Sequence, residues 1–582
     1  MKQLSQRAIL LNVALAGLAG AVLRLLFLDG QILLDDEWHA MDYAAAHSLG
    51  YLLTHFSVPG ATCPPMNIYS YLLLHTIGWN ETLLRLPAIL PGLASLAILP
   101  LLVARVFGGR TAILFSWLLA ICPFLVFYGR IARPYSMVAL AGSALVLCSY
   151  EWLRTGGRRW AAGAVVCGVL AVYFHLFAAV SIVATLGCAA AVRAFPALRA
   201  RGWERVVPTF GGLALAALFM VAALGALLGP AFVNTAGRPA SHVVGADRMT
   251  AQTLAGVASM MAGTGRGGLV VAFWGWLLVG AVCLARRSPL LASILAANAA
   301  AYLAGLIVMR PISVQAPLVV ARYAVALFPL GLALAALGIV EAMGVAVRFL
   351  TIRKANAVLR LLPDLAAAAF VGALLACGPL PAAYRFPNNF MSHSSFLESY
   401  APMRWDRSYE CDMFAKEAFI QGFNSLPPFY HRLAAATDCR AIIEYPMFIG
   451  NHFNLFYYYQ RHHRKSVVAG YALVGDPQPA ALGFVGGNWY IDQVVNKAPD
   501  ASRLRFTNMA NVADVEALRR SRAGYVILHK SLIAEMFPTM PIRMIAPYAP
   551  IEELAQAYRL CFGPPAYEDA HLIVFDLRKA AH

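Results

Sequence analysis

Acidic residues are scarce in this chain. Its 582 residues include 29 Asp+Glu against 46 Lys+Arg, and only 13% are charged while 60% are hydrophobic. A soluble globular protein is about one-quarter charged, so an ordinary soluble enzyme is excluded. Metal- or redox-type cysteine spacing is also missing: the ten cysteines form no C-x-x-C pair, and their spread over 582 positions excludes a small disulfide scaffold. There is no collagen-like period, and the apolar content excludes disorder. A net charge of +17 on a soluble protein would point to nucleic acid. Beside long apolar runs it instead reports membrane topology, and no nucleic-acid partner is expected. The chain reads as an integral membrane protein.

A hydrocarbon core of roughly 30 Å needs ~20 apolar residues per helical span. About eleven such runs are present, near 8–28, 83–104, 111–128, 134–153, 160–174, 176–192, 206–228, 268–285, 289–309, 323–345 and 362–382. The neighbours 160–174 and 176–192 are separated only by Phe174–His175. The run at 8–28 follows Lys2 and Arg7 and is long enough to span, so it is read as an uncleaved first helix. With the N-terminus inside, the inner loops hold 17 basic residues, among them Arg105, Arg154 and Arg287, against Glu151, Glu204, Glu341 and Asp364. The outer side and outer helix ends hold nine: Arg24, Arg85, Arg130, Arg133, Arg238, Arg248, Arg266, Arg310 and Arg322. This positive-inside bias orients the chain, and an odd number of spans places everything after about 383 outside.

The remainder differs in kind. Residues 383–582 carry 20 Lys+Arg and 18 Asp+Glu, so nearly all the net charge belongs to the membrane part. Strand-like runs at Ala441–Tyr445, Gly524–His529 and Leu572–Leu577 alternate with helical stretches near 451–461, 513–522 and 551–561. That pattern predicts a soluble extracytoplasmic α/β domain. The expected division is 1–382, with a first outer loop at 29–82, and 383–582. Cys411–Cys439 is the cysteine pair to test first, although sequence alone does not give connectivity. His462-His463, after an aromatic run, reads as a solvated helix end, and Asn80-Glu-Thr82 as a fortuitous glycosylation pattern.

The first outer loop opens with Leu33-Leu34-Asp35-Asp36-Glu37-Trp38-His39. Three consecutive carboxylates at the mouth of a hydrophobic helix are costly unless solvated, paired or used chemically. Apolar residues from Trp38 to Phe56 recur at helical spacing, which predicts an interfacial helix capped by Asp35 or Asp36; a second should start after Cys63-Pro64-Pro65. Capping and solvation explain the acids as well as a general-base role does. The arginines facing the same side add weight. Arg130 and Arg133 lie in Tyr128-Gly-Arg130-Ile-Ala-Arg133-Pro-Tyr135, while Arg310, Arg322-Tyr323 and Arg85 sit at other outer helix ends. Guanidinium is a fixed fork of donors suited to phosphate oxygens, though each arginine could equally snorkel to lipid headgroups. Acids and arginines on one rim suggest chemistry on a lipid-phosphate substrate.

These motifs resemble those of the GT-C glycosyltransferases, in the branch of protein O-mannosyltransferases and lipid A aminoarabinose transferases. Asp36-Glu37 resembles the family's D-E motif, and Glu81-x-x-x-Arg85-Leu-Pro87 its E-x-x-x-R-L-P stretch. The 128–135 segment is similar to its Y-[SG]-x-x-A-R-x-Y turn, and Arg322-Tyr323 with Pro329 to its R-Y-x-x-x-x-x-P pattern. Ile131 stands in a turn where relatives often carry an acid.

The resemblance implies a polytopic α-helical membrane protein of the bacterial inner membrane, with a periplasmic C-terminal α/β domain. It implies inverting transfer of a sugar from a polyprenyl-phosphate donor to a glycan, lipid or protein acceptor. Asp36 would be the base or the hydroxyl-orienting group, with Asp35 and Glu37 able to share or tune that role. Arg130, Arg133 and Arg322 would hold the departing phosphate, and His39, Arg85, Tyr135, Arg310 and Tyr323 complete the candidate substrate-binding set. No cofactor is called for, and a divalent metal is left open. The rivals are a flippase or transporter of lipid-linked saccharides and an inactive GT-C-like binding subunit. A transporter should show internal repeats and polar residues at mid-membrane depth, and the sequence shows neither.

Overall fold

The computed structural model describes residues 6–26, 28, 35–56, 63–199, 203–235, 248–311, 314–352, 362–385, 426–439, 441–445, 459, 462–467, 524–530 and 551–578. The described residues form two compact units. One holds α1 (Gln6–Leu25) and the elements between His47 and Arg385; the other holds α2 (Asp35–Ala46) and the elements after 410.

The first unit is helical. It begins with α1, α3 (Leu49–Thr54), α4 (Pro64–His75), α5 (Glu81–Phe107), α6 (Gly109–Ile121), α7 (Pro123–Tyr128), α8 (Tyr135–Thr155) and α9 (Arg158–Phe174). It continues with α10 (Ala179–Arg199), α11 (Trp203–Thr235), α12 (Ala251–Ala262), α13 (Gly267–Arg287) and α14 (Pro289–Met309). The last four are α15 (Pro317–Tyr323), α16 (Leu327–Ile352), α17 (Leu362–Cys377) and α18 (Leu380–Arg385).

Helices occupy all eleven apolar runs, and among the described residues seven are long and apolar enough to cross a membrane: Gln6–Leu25, Glu81–Phe107, Tyr135–Thr155, Phe210–Asn234, Gly267–Arg287, Pro289–Met309 and Leu327–Phe349. Gly109–Ile121, Leu176–Val192 and Asp364–Cys377 are apolar but shorter.

One expected span is broken for a local reason, and another starts four residues late. The run 111–128 divides at Cys122, which is extended (φ −63°, ψ 111°) ahead of Pro123. Proline's ring disfavours helical geometry in the residue before it. The run 323–345 becomes helical from Leu327, after a turn at Ala324–Ala326 where Ser143 Oγ on α8 donates to the Ala326 carbonyl at 2.9 Å. The expected interfacial helix of 38–56 likewise divides: α3 starts afresh with Ser48 as its cap, accepting from Tyr51 N–H. Helix α12 was not anticipated; Thr250 and Thr253 form its reciprocal capping box. Asn80 caps α5 by accepting from Leu83 N–H at 2.8 Å, a helix-capping role for the residue in the glycosylation pattern.

Helix packing uses small and polar side chains, as expected where lipid removes the hydrophobic drive between helices. Gly280 on α13 lies so close to α16 that a Cβ would sit 1.9 Å from the Leu334 carbonyl oxygen. Asn298 on α14 accepts from Ser181 at 2.6 Å and donates to Thr185 at 3.0 Å, both on α10. Ion pairs close one end of the bundle. Buried Glu151 accepts from Arg105 at 2.7 Å and Arg154 at 2.8 Å, and Glu341 from Arg287 at 2.5 Å.

The second unit contains, besides α2, helices α19 (Pro428–Ala435) and α20 (Ile551–Phe562) and a five-stranded sheet. Its strands are β1 (Ala441–Tyr445), β2 (Ser466–Val467), β3 (Tyr525–His529), β4 (Tyr567–Glu568) and β5 (Leu572–Asp576), in the order β2-β1-β3-β5-β4. β1 is parallel to β2 and β3, whereas β5 runs antiparallel to β3 and β4. Three strands and α20 fall where the sequence placed them; the stretches 451–461 (apart from Tyr459) and 513–522 lie outside the described residues.

A buried polar cluster crosses β1 and β3. Tyr430 donates to Glu444 at 2.9 Å, and His529 Nε2 lies 2.7 Å from the same carboxylate. His463 corrects the reading of 462–463 as a solvated end: it is buried, its ring stacks on Tyr430 at 5.5 Å, and its Nδ1 accepts from Lys465 N–H. Burial, then Lys465 and His462, lowers its pKa to about 3. Cys439 is buried beside Gly524, and its expected partner Cys411 lies outside the described residues.

Candidate functional site

Helices leave their last four carbonyls without intrahelical donors, and the negative end of the helix dipole favours cations there. The C-terminal end of α1 meets this need with arginines from elsewhere in the first unit. Arg130 Nη1 donates to the Leu23 carbonyl at 3.1 Å and the Leu26 carbonyl at 2.7 Å, and Arg85 Nη1 to Leu28 at 3.4 Å. Tyr384 also donates to the Leu23 carbonyl, and its ring lies 5.8 Å from the Arg130 guanidinium. Within α1 itself, Arg24 donates to Gly20 at 2.9 Å and reaches the carbonyls of Ala120 and Leu119, which end α6. All three arginines are buried. Burial pulls Arg130 down to about 10, leaving it charged at neutral pH. Gly129 makes the arrangement possible, since a Cβ there would stand 3.2 Å from Arg24 Nε.

Arg133, three residues on, goes elsewhere. The turn between α7 and α8 is tight, with Arg130 N–H donating to the Phe127 carbonyl at 2.8 Å and Arg133 N–H to Ile131 at 2.7 Å. Pro134 then leads into α8, which Ser136 pins to α5 by donating to the Ala88 carbonyl at 2.7 Å. Tyr135, buried at the start of α8, is the centre of the next cluster. The guanidiniums of Arg133 and Arg322 lie 5.8 and 6.0 Å from its ring. Arg322 and Tyr323 end α15 at the turn before α16, so that turn is what presents them.

The same cluster contains His175, which the sequence reading treated only as a separator between two apolar runs. It sits in extended backbone between α9 and the 3₁₀ turn Leu176–Ala178. Its ring lies 5.8 Å from Tyr135 and 5.1 Å from Tyr323, with Phe177 5.2 Å from Tyr323. Burial first, then Arg133 and Arg322, hold its pKa down at about 4. The imidazole is therefore neutral at pH 7. Cys63, the residue before α4, lies within electrostatic reach of Arg133, and burial pushes its thiol up to about 12. A lone histidine carries no spacing pattern; its only signal was its place at the side of the chain expected to face outward.

Arg310 falls apart from this cluster, and the acids of the first outer loop belong to the second unit. Arg310 caps α14 in the left-handed region (φ 43°), is exposed, and makes none of the described contacts with Arg133, His175 or Arg322. Asp35, Asp36 and Glu37 form the first turn of α2 in the second unit, so Asp35 and Asp36 lie inside that helix rather than at its cap. Glu37 is fully buried; the side chains of Asp35, Asp36 and His39 lie outside the described residues. Among the described residues no three His, Cys, Asp or Glu side chains are grouped to hold a metal ion.

No family model and no curated protein matches the chain. Among solved structures it is similar to ArnT from Cupriavidus metallidurans in the apo state, at 15% identity and a TM-score of 0.48, over 99% of both chains. The same enzyme bound to undecaprenyl phosphate gives 14% identity and a TM-score of 0.48 over 100% of both. The archaeal oligosaccharyltransferase AglB from Archaeoglobus fulgidus, in complex with an inhibitory peptide and a dolichol-phosphate, gives 13% identity and a TM-score of 0.43 over 92% of this chain and 72% of that one. ArnT, a lipid A aminoarabinose transferase, and AglB are both of the GT-C family, whose motifs the sequence resembles.

Proposed function

We propose that this chain is a membrane glycosyltransferase that moves a sugar from a polyprenyl-phosphate donor to an extracytoplasmic glycan, lipid or protein acceptor. The observation that carries the reading is the convergence of Arg133 and Arg322 on Tyr135, beside Tyr323, from helix ends far apart in sequence. As the anomeric C–O bond breaks, charge accumulates on the departing phosphate. Fixed guanidiniums stabilise that charge without reorganising. Tyr135 and Tyr323 hold the fork in place from its apolar side. Arg85 and Arg130 have a supporting task in this scheme, tying down the end of α1 beside the turn that carries Arg133.

On the motif resemblance we assign to Asp36 the role of base, with Asp35 and Glu37 as its neighbours. Its carboxylate takes the acceptor's hydroxyl proton, the acceptor oxygen bonds to the anomeric carbon from the face opposite the phosphate, and prenyl phosphate leaves. One displacement inverts the configuration. Residues 1–382 supply the catalytic membrane part and 383–582 an extracytoplasmic domain, with the N-terminus cytoplasmic. In support, Arg105 pairs with Glu151 and Arg287 with Glu341, residues that this topology assigns to one side. The test is reconstitution with a prenyl-phosphate sugar: turnover is expected, with Arg133→Ala losing donor use more than acceptor use. Donor KM and kcat unchanged by Arg133→Ala would remove the basis of the reading.

A further inference from the structure

The Arg133–Arg322 cluster contains one group that the proposed transfer does not use. The His175 ring lies 5.8 Å from that of Tyr135, tilted by 46°, and 5.1 Å from that of Tyr323, nearly perpendicular at 88°. Its backbone is fixed by donation from its N–H to the Ala171 carbonyl at 3.0 Å, and Ala178 N–H donates back to its carbonyl at 2.8 Å. An imidazole held by backbone and rings, within electrostatic reach of two permanent cations, responds to an anion that joins them. We propose that His175 is a third phosphate-holding group of this site, taking a proton from solvent when a phosphate group seats by Arg133 and Arg322 and returning it when the phosphate leaves.

The electrostatic argument has a definite sign. In the structure, burial and the two guanidiniums disfavour the imidazolium and set the titration at about 4. A phosphate monoester brings a charge of about −1.5 to −2, which reverses the local field. An opposite charge at close range raises such a pKa by about 1–3 units. Phosphate binding therefore takes up a proton at mildly acidic pH, and binding through His175 strengthens as pH falls from the bound-state value toward the free one. Among the described residues, the groups facing His175 are Arg133 and Tyr135 from the turn into α8, Arg322 and Tyr323 from α15, and Phe177 from the 3₁₀ turn, with Cys63 near Arg133. Arginine titrates above 12 and tyrosine near 10 as a rule, so neither changes charge between about pH 5 and 7.5. Cys63, pushed up to about 12, does not either.

The inference rests on the phosphate site of the proposed function, and one experiment separates their failures. Farnesyl phosphate binding to the full-length protein in detergent is measured from pH 7.5 to 5 for the wild type, His175→Gln, Arg133→Ala and Arg322→Ala. The ligand's own titration is common to all four and cancels in ratios of Kd. If the bound-state pKa is about two units higher than the free one, the ratio of Kd for His175→Gln to wild type rises about tenfold over that range. A purely structural role for His175 gives a ratio that does not change with pH, and that result overturns the inference alone, provided the arginine variants bind weakly. Absence of wild-type binding overturns both readings. Displacement by millimolar inorganic phosphate, with the same ratio retained, supports the inference for free phosphate; resistance to displacement supports it for a lipid headgroup. Should His175→Gln fail to fold, wild-type protein labelled at histidine Cε1 replaces it. One imidazole signal should titrate about 1–3 units higher when farnesyl phosphate is bound, and no such movement sinks the inference.

Discussion

The two ends of the helical unit treat the same residue type in different ways. Tyr135 and Glu151 belong to one helix, and sixteen residues at 1.5 Å each separate the two ends by about 24 Å. At the Glu151 end, arginines meet carboxylates: Arg105 and Arg154 share Glu151, and Arg287 faces Glu341. At the Tyr135 end, the described hydrogen bonds of Arg24, Arg85 and Arg130 go to backbone carbonyls, and Arg133 and Arg322 meet aromatic faces. A carboxylate cancels a guanidinium's charge locally. Among the described contacts, carbonyl dipoles and π faces are what hold the guanidiniums of the Tyr135 end in place. The histidine beside Arg133 and Arg322 has its pKa lowered first by burial and then by these two guanidiniums. Among the described contacts, one end holds its guanidiniums with carboxylates, the other with carbonyls and rings.

The largest effect is expected at the proposed base. Asp36→Asn should lower sugar transfer by about 10³-fold, since a positioned general base contributes 10²–10⁴. Reconstituted turnover with normal thermal unfolding is the measurement. Full activity would move the role to Asp35 or Glu37. Next in size, Arg133→Ala should reduce kcat/KM for the donor by about 10²-fold, the usual loss on removing one donor to a developing anion. Initial rates at varied donor and varied acceptor separate this from a general defect.

Arg130→Ala and Glu151→Gln then compare the ends by stability. Arg130 serves two carbonyls at the end of α1, so its loss should cost about 2–3 kcal/mol. The expected signature is a lower Tm with donor KM unchanged in the protein that remains folded. A selective rise in donor KM would instead return Arg130 to the phosphate-holding group. Glu151 is buried, but Arg105 and Arg154 are half-exposed, so Glu151→Gln should cost less, about 1–2 kcal/mol, without altering kcat per folded molecule.

Much of this architecture was legible in the sequence because local signals bounded it. The run 289–309 is bounded by Pro289 and by Arg310, and α14 begins and ends there. The strands at 441–445, 525–529 and 572–576 match their predicted runs within a residue or two, because apolar segments between turn signals leave little choice. The split span was less legible. Proline is tolerated inside membrane helices, as Pro87, Pro91 and Pro100 are in α5, so Pro123 gave no unambiguous stop. Arg130 and Arg133 stand three residues apart in one motif, and sequence assigned both to phosphate. Their divergence depends on a tight turn and on Arg24 filling the space beside Gly129. His175 was missed for a related reason: three segments distant in sequence bring it to the arginines, and no periodicity records that meeting.

The smallest effect gives the sharpest control on the comparison. Arg287 and Glu341 make a two-pronged pair at 2.5 Å, shorter than any described contact of Arg130. Distance alone would rank it the stronger. Exposure argues the reverse, because Arg287 is 56% and Glu341 24% accessible, whereas Arg130 is buried. Water already solvates both charges, so forming the pair replaces good interactions with others only slightly better. Arg287→Ala should cost about 0.5 kcal/mol, and the loss should shrink further in high salt. Thermal unfolding of Arg287→Ala and Arg130→Ala at low and high ionic strength makes the measurement. A salt-sensitive, small shift for the first and a salt-insensitive, large one for the second would show that the two ends differ in how charge is held. Equal shifts would mean that the carbonyl-bound arginines are as well solvated as the paired ones, and the contrast between the two ends would lose its physical basis.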